Sequence, residues 1–168
     1  MSVLVLVAPG SEEIETVAIV DTLVRASIEV VLASCCPAGS RQVKASRGVQ
    51  LVADCHIDEL TRRDFEAIVV PGGLPGGEVI RDTPLAIDLL KEQAALGRWR
   101  AAICAAPVVV LQHHALLDGA TVTCHPGNIR LLDPPRHEFV PHDLAGQETM
   151  AKEMGVRRIL IRWLRLTT

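Results

Sequence analysis

What the chain lacks narrows its function first. No run of about 18 apolar residues occurs, so no segment reads as a membrane-spanning helix. The opening MSVLVLVAPGSEEIE carries no basic stretch of the kind that starts a secretory leader, and it reaches two acids by residue 13. The expected location is the cytoplasm. Positive charge is not in excess: 17 Lys and Arg stand against 20 Asp and Glu, a net charge of -3 with neutral histidine. That balance gives no general attraction to nucleic acid or to an anionic membrane. No sequence-specific nucleic-acid binding and no membrane association are expected, which leaves small molecules or proteins as partners. The five cysteines, Cys35, Cys36, Cys55, Cys104 and Cys124, form no Cys-x-x-Cys spacing and leave an odd one, so free thiols in a reducing compartment are expected. The pairs Cys35–Cys36, His113–His114 and Cys124–His125 are poorly spaced for zinc, and no metal is expected. The glycine-rich PGGLPGG, residues 71–77, lacks both the lysine of a phosphate-binding loop and the spacing of a dinucleotide fingerprint. Repeats and low-complexity segments are absent as well.

What is present reads as one α/β domain over residues 1–168, since 168 residues at 49% hydrophobic content can bury a sizeable core. VLVLVA (3–8) is a short apolar run stopped by PGS, the pattern of a strand buried on both faces of a parallel sheet. A helix follows, with Ser11 as its expected cap, Glu12 and Glu13 as solvated acids suited to its dipole, and an apolar stripe of Ile14, Val17, Ala18, Val20, Leu23 and Val24. Further strands are expected at 28–34, 48–54, 65–70, 99–104 and 119–124, with helices at 85–97, ended by Gly97, and 106–117. This alternation argues for a doubly wound sandwich with a mostly parallel sheet. Beyond residue 127 the chain is irregular, with a short edge strand expected at 137–140 and an amphipathic helix at 149–168 whose Arg157, Arg158, Arg162 and Arg165 share one arc.

In open α/β sheets ligands bind at the carboxyl ends of the strands. Four chemically capable segments follow apolar runs here: APGSEEIE with Glu15, PGGLPGG, Cys104 and Cys124–His125. Cys104 sits between a strand and a helix, much as a nucleophile elbow holds its serine, and a helix N-terminus there should lower its pKa. The glycine turn allows backbone N–H groups to approach a substrate, although a plain tight turn explains it equally well. Glu15 is placed to point across the strand edge, and His125 is a candidate base.

Four stretches in order, LVLVAPGSEEIETV, VVPGGLPGGEVIRD, AAICAAPVVVL and TVTCHPG, resemble the ThiJ/PfpI superfamily, and within it the Parkinsonism-associated deglycase group and its bacterial YajL-like members. The resemblance spans roughly residues 2–127. It implies a flavodoxin-like sandwich, a homodimer and no cofactor. Cys104 would be the reactive nucleophile, Glu15 a protonated glutamate hydrogen-bonded to its thiolate, His125 a histidine near the pocket, and Gly73 and Ala105 backbone donors of oxyanion type. Arg25 and Arg47 match arginines near the dimer interface and its anion-binding pocket. The implied activities are conversion of methylglyoxal to lactate and removal of early glyoxal adducts from proteins or nucleotides. The alternative is a redox-responsive stress protein or chaperone read out by oxidation of Cys104. A PfpI-type peptidase fits the first and third motifs less well. One departure stands out: no Gly-Pro-Gly-Thr loop follows in residues 128–168.

Overall fold

Short apolar runs bounded by glycine and proline become the strands. In the computed structural model, which describes residues 2–61, 64–117 and 120–125, β1 (Ser2–Val7) is buried along its whole length. It pairs in parallel with β2 (Glu29–Ser34), in register from Ser2 opposite Glu29 to Val7 opposite Ser34. β3 (Gln42–Lys44) and β4 (Gln50–Val52) form a separate antiparallel hairpin. β5 (Cys55–His56) extends the main sheet beyond β2. On the other side of β1 lies β6 (Ala67–Val70), and β7 (Trp99–Ala102) pairs with β6. The five-stranded order is β5-β2-β1-β6-β7, and every pairing in it is parallel.

Parallel strands need crossovers that cover the sheet. These are supplied by α1 (Glu13–Arg25), α2 (Leu74–Arg81) and α3 (Pro84–Ala95). The fold is the flavodoxin-like doubly wound α/β arrangement, in which winding reverses at β1 and opens a switch point between β1 and β6. Leu4, Leu6, Ile68 and Val70 of the sheet meet Ile80, Leu90 and Val110 in the main core. Val7, Val43 and Ala53 form a second, smaller cluster that ties the hairpin to the sheet. None of the helices among the described residues is long and apolar enough to cross a membrane. The chain divides into two compact units, residues 1–132 and 133–168, and every described residue belongs to the first. The strand expected at 137–140 and the helix expected at 149–168 lie outside the described residues.

Several local expectations need correction. The residues of PGGLPGG do not remain a turn: α2 begins within them, with Pro75 in its first turn and Gly76 and Gly77 buried. β3 has no counterpart in the sequence reading, because three residues carry too little periodicity to register. The strand expected at 119–124 is not seen in described residues 120–125. The consecutive β-branched residues Thr121, Val122 and Thr123 find no ladder among the described residues; the backbone N–H of His125 instead donates to the carbonyl of Cys104 at 2.6 Å. The helix expected at 106–117 is a buried π-helical turn, Pro107–Leu111, followed by a 3₁₀ turn, Gln112–His114.

The apolar stripe of α1 also faces the wrong way for a core. Ile14 is 75% exposed, Val24 56% and Val17 50%, while the helix buries Glu13 and Thr16 instead.

Candidate active site

The turn after β1 is set by Ser11, whose N–H donates to the Ala8 carbonyl at 2.9 Å and whose hydroxyl accepts from the Ala8 N–H at 3.0 Å. That hydroxyl is therefore used within the turn, and Ser11 does not cap α1 as expected. Glu12 takes the cap: its carboxylate accepts from the Glu15 N–H at 2.7 Å. Nor is Glu13 a solvated acid. It is buried and accepts from the Ser46 hydroxyl at 2.6 Å and the Arg47 N–H at 2.7 Å. The Ser46 hydrogen bond, helped by backbone donors, holds its carboxyl below the ordinary range against the opposing effect of burial.

The loop after β6 is stitched to this turn by a hydrogen bond from the Glu12 N–H to the Gly72 carbonyl at 2.9 Å. In the same place the Gly72 N–H donates to Glu15 Oε2 at 2.7 Å. A Cβ on Gly72 would lie 2.5 Å from Glu15 Oε2, 2.5 Å from Cys104 Cβ and 3.0 Å from Cys104 Sγ. Glycine at 72 is thus what lets a carboxyl group from α1, the β6 loop and the thiol beyond β7 meet. Gly73 sits at φ +88°, and a side chain there would strike the Gly10 carbonyl oxygen and approach the Glu12 nitrogen to 2.6 Å.

Cys104 occupies the left-handed region at φ +60°, a conformation that costs a non-glycine residue on the order of 1–3 kcal/mol and clusters at functional sites. The side chain is half-buried at the bend between β7 and the π-helical turn. Its thiol is not lowered as the helix-end position suggested. Burial raises it first, and the charge and hydrogen bond of Glu15 raise it further, while the backbone N–H groups of Gly73 and Ala105 pull it down. A carboxylate beside the thiol accepts its hydrogen bond and repels a thiolate, which is how Glu15 raises Cys104.

The structure therefore brings Cys104, Glu15, Gly73 and Ala105 together, and adds Gly72, whose part the sequence reading did not single out. Its only signal was a glycine pair directly after a buried strand. His125 reaches the site through its backbone bond to Cys104, and its side chain is exposed. Arg25 does not join them: it is exposed at the far end of α1, paired with Asp21 at 2.7 Å, ten residues or roughly 15 Å of helix from Glu15. Arg47 is exposed in the β3–β4 turn, its backbone held by Glu13. Among the described residues no three His, Cys, Asp or Glu side chains gather as ligands for a metal.

Comparison with known proteins shows what the chain is similar to. The sequence matches the DJ-1/PfpI family over residues 1–154. Protein DJ-1 homolog B of Arabidopsis thaliana is 42% identical over 135 residues, which is 80% of this chain and 30% of that protein. The glutathione-independent glyoxalase DJR-1.2 of Caenorhabditis elegans is 35% identical over 125 residues, 74% of this chain and 64% of the relative. This chain thus spans less than two thirds of either relative's length. Among solved structures, oxidized Toxoplasma gondii DJ-1 is 45% identical with a TM-score of 0.75, the match covering 77% of this chain and 70% of that one. The glycine-bridged meeting of a strained cysteine with a helix-borne glutamate is thus carried by a sequence aligned along most of its length with DJ-1 proteins, and the chain belongs to the DJ-1/PfpI family.

Proposed function

We propose that the chain is a cofactor-independent cysteine enzyme acting on 2-oxoaldehydes, converting methylglyoxal to lactate or releasing early glyoxal adducts from proteins and nucleotides. The observation that carries this reading is the contact between the Cys104 thiol and the Glu15 carboxyl group across Gly72. Support comes also from the nematode relative, which is named a glyoxalase. In this scheme Cys104 passes its proton to Glu15 and the thiolate attacks the aldehyde carbon. The new C–S bond leaves an oxyanion facing the Gly73 and Ala105 N–H groups, which becomes a hemithioacetal on protonation. Glu15, with His125 as a second carrier, then moves a proton from the former aldehyde carbon to its neighbour through an enediol, and water cleaves the resulting thioester to lactate and free thiol. Each step conserves electrons within the substrate, so no redox cofactor enters.

The reading also takes the protein as cytoplasmic, where thiols stay reduced, and as a homodimer. Ile14, Val17 and Val24 on α1 and Val52 on β4 are exposed together with an apolar groove lined by Val20, Leu32 and Leu51. A row of that kind is what a protein surface keeps for a partner.

The test is lactate production from methylglyoxal. Cys104→Ala is expected to fall to background while Cys36→Ala retains turnover; activity in Cys104→Ala would overturn the assignment. Glu15→Gln should lower kcat about 10²–10⁴-fold. Because the charge and hydrogen bond of Glu15 raise the Cys104 thiol, the same variant is expected to move the midpoint of Cys104 alkylation to lower pH. An unchanged midpoint would mean that Glu15 does not act on the thiol, and would remove it from the proton path.

A second reading, a redox-responsive protein or chaperone using oxidation of Cys104, is favoured by the strained, half-exposed thiol and by a structural relative captured as oxidized DJ-1. Absence of turnover in both wild type and variant, with peroxide-dependent modification of Cys104, would select it.

A further inference from the structure

We propose that Cys124 is a resolving thiol for Cys104, so that a hydroperoxide drives the two into an intrachain disulfide. The inference rests on the reading of Cys104 as the reactive thiol and adds a second residue to it. Its foundation is the backbone. The His125 N–H donates to the Cys104 carbonyl at 2.6 Å, and Cys124 immediately precedes that nitrogen. Standard covalent dimensions across one such hydrogen bond hold the two Cα atoms within about 7 Å, at or inside the span a disulfide bridges with little backbone movement. Both side chains are half-buried, open enough for a small oxidant and shielded from bulk solvent.

The electrostatics give the pair an order of events. Burial raises the Cys124 thiol first, and the neighbouring charge of Cys104 raises it further. While Cys104 is a thiolate, Cys124 therefore stays protonated. The Cys104 thiolate attacks the peroxide O–O bond; an S–O bond forms, the O–O bond breaks, and alkoxide or hydroxide leaves, giving a neutral sulfenic acid. That step removes the charge opposing ionisation of Cys124. The Cys124 thiolate then attacks the Cys104 sulfur, the S–S bond forms, the S–O bond breaks, and hydroxide leaves to combine with the proton given up by Cys124. The two thiols lose two electrons and the peroxide gains them. Cys35 is a poor competitor, since burial pushes it up to about 12.

The experiment is intact-mass and non-reducing peptide analysis of the full chain after about two to three equivalents of hydrogen peroxide, enough for the two oxidations that sulfinic acid requires. Wild type is expected to lose about 2 Da and to yield a Cys104–Cys124 linked peptide that dithiothreitol releases, while Cys124→Ser gains about 32 Da at Cys104 as sulfinic acid that dithiothreitol does not reverse. Sulfinic acid on Cys104 of the wild type with Cys124 still free, or a link from Cys104 to Cys36 or Cys55, would overturn the resolving role and leave Cys104 as the reactive thiol. A wild-type Cys104 left unmodified would remove both.

Discussion

Gly72 has no side chain to contribute, yet it decides whether the site exists. Its missing Cβ is the space in which Glu15 Oε2 and Cys104 approach each other, and its N–H orients the carboxyl group. Gly72→Ala is therefore expected to push the two apart and cost about 10²-fold or more in methylglyoxal turnover. A kinetic comparison with wild type, alongside a thermal melt, checks this; unchanged turnover would mean that the contact is not used. Cys104 could be found in the sequence because an alanine-flanked cysteine between two apolar runs has few structural reasons to be there. Gly72 could not, because one glycine of four in PGGLPGG looks like the next until the strands are paired. Cys124 stands out beside His125 in the sequence, but its nearness to Cys104 does not, because it comes from a backbone bond between segments twenty residues apart.

At the level of elements, the legible parts were those whose local pattern and packing agree. β1, β2, β6 and α3 follow apolar runs closed by glycine or proline, and the structure places them within a few residues of the expected bounds. α2 was not legible because its glycines argue against a helix by propensity, whereas packing demands them: a side chain on Gly76 would strike the Ser11 backbone. α1 misled differently, since its start is governed by Glu13 holding the β3–β4 turn. The folded-state pKa of Glu13 lies below its ordinary value of 4.5, so its contribution to stability is present above that pH and is lost as pH falls through the lowered value. The Tm of wild type should exceed that of Glu13→Gln at neutral pH, and the gap should close on acidification below 4.5. A gap that does not change with pH would place the effect in packing and leave ionisation out of it.

For the whole molecule, the proposed homodimer would cover an α1 turned apolar side out. Light scattering after size exclusion is expected to give a dimer, and Val17→Asp combined with Val52→Asp a monomer with the same far-UV spectrum; a wild-type monomer would leave that face to another partner. The position of β1 carries one more consequence, for biosynthesis. It precedes the other strands of the sheet, pairs with β2 once 29–34 is made, and gains its other neighbour only when 67–70 has been synthesised. Between those moments the nascent chain presents SVLVLV with one edge unpaired, a segment rich in branched apolar residues and free of charge. Such an edge joins readily to its own copies, so ribosome stalling or truncation in the 35–66 interval should shed insoluble fragments that the full chain does not.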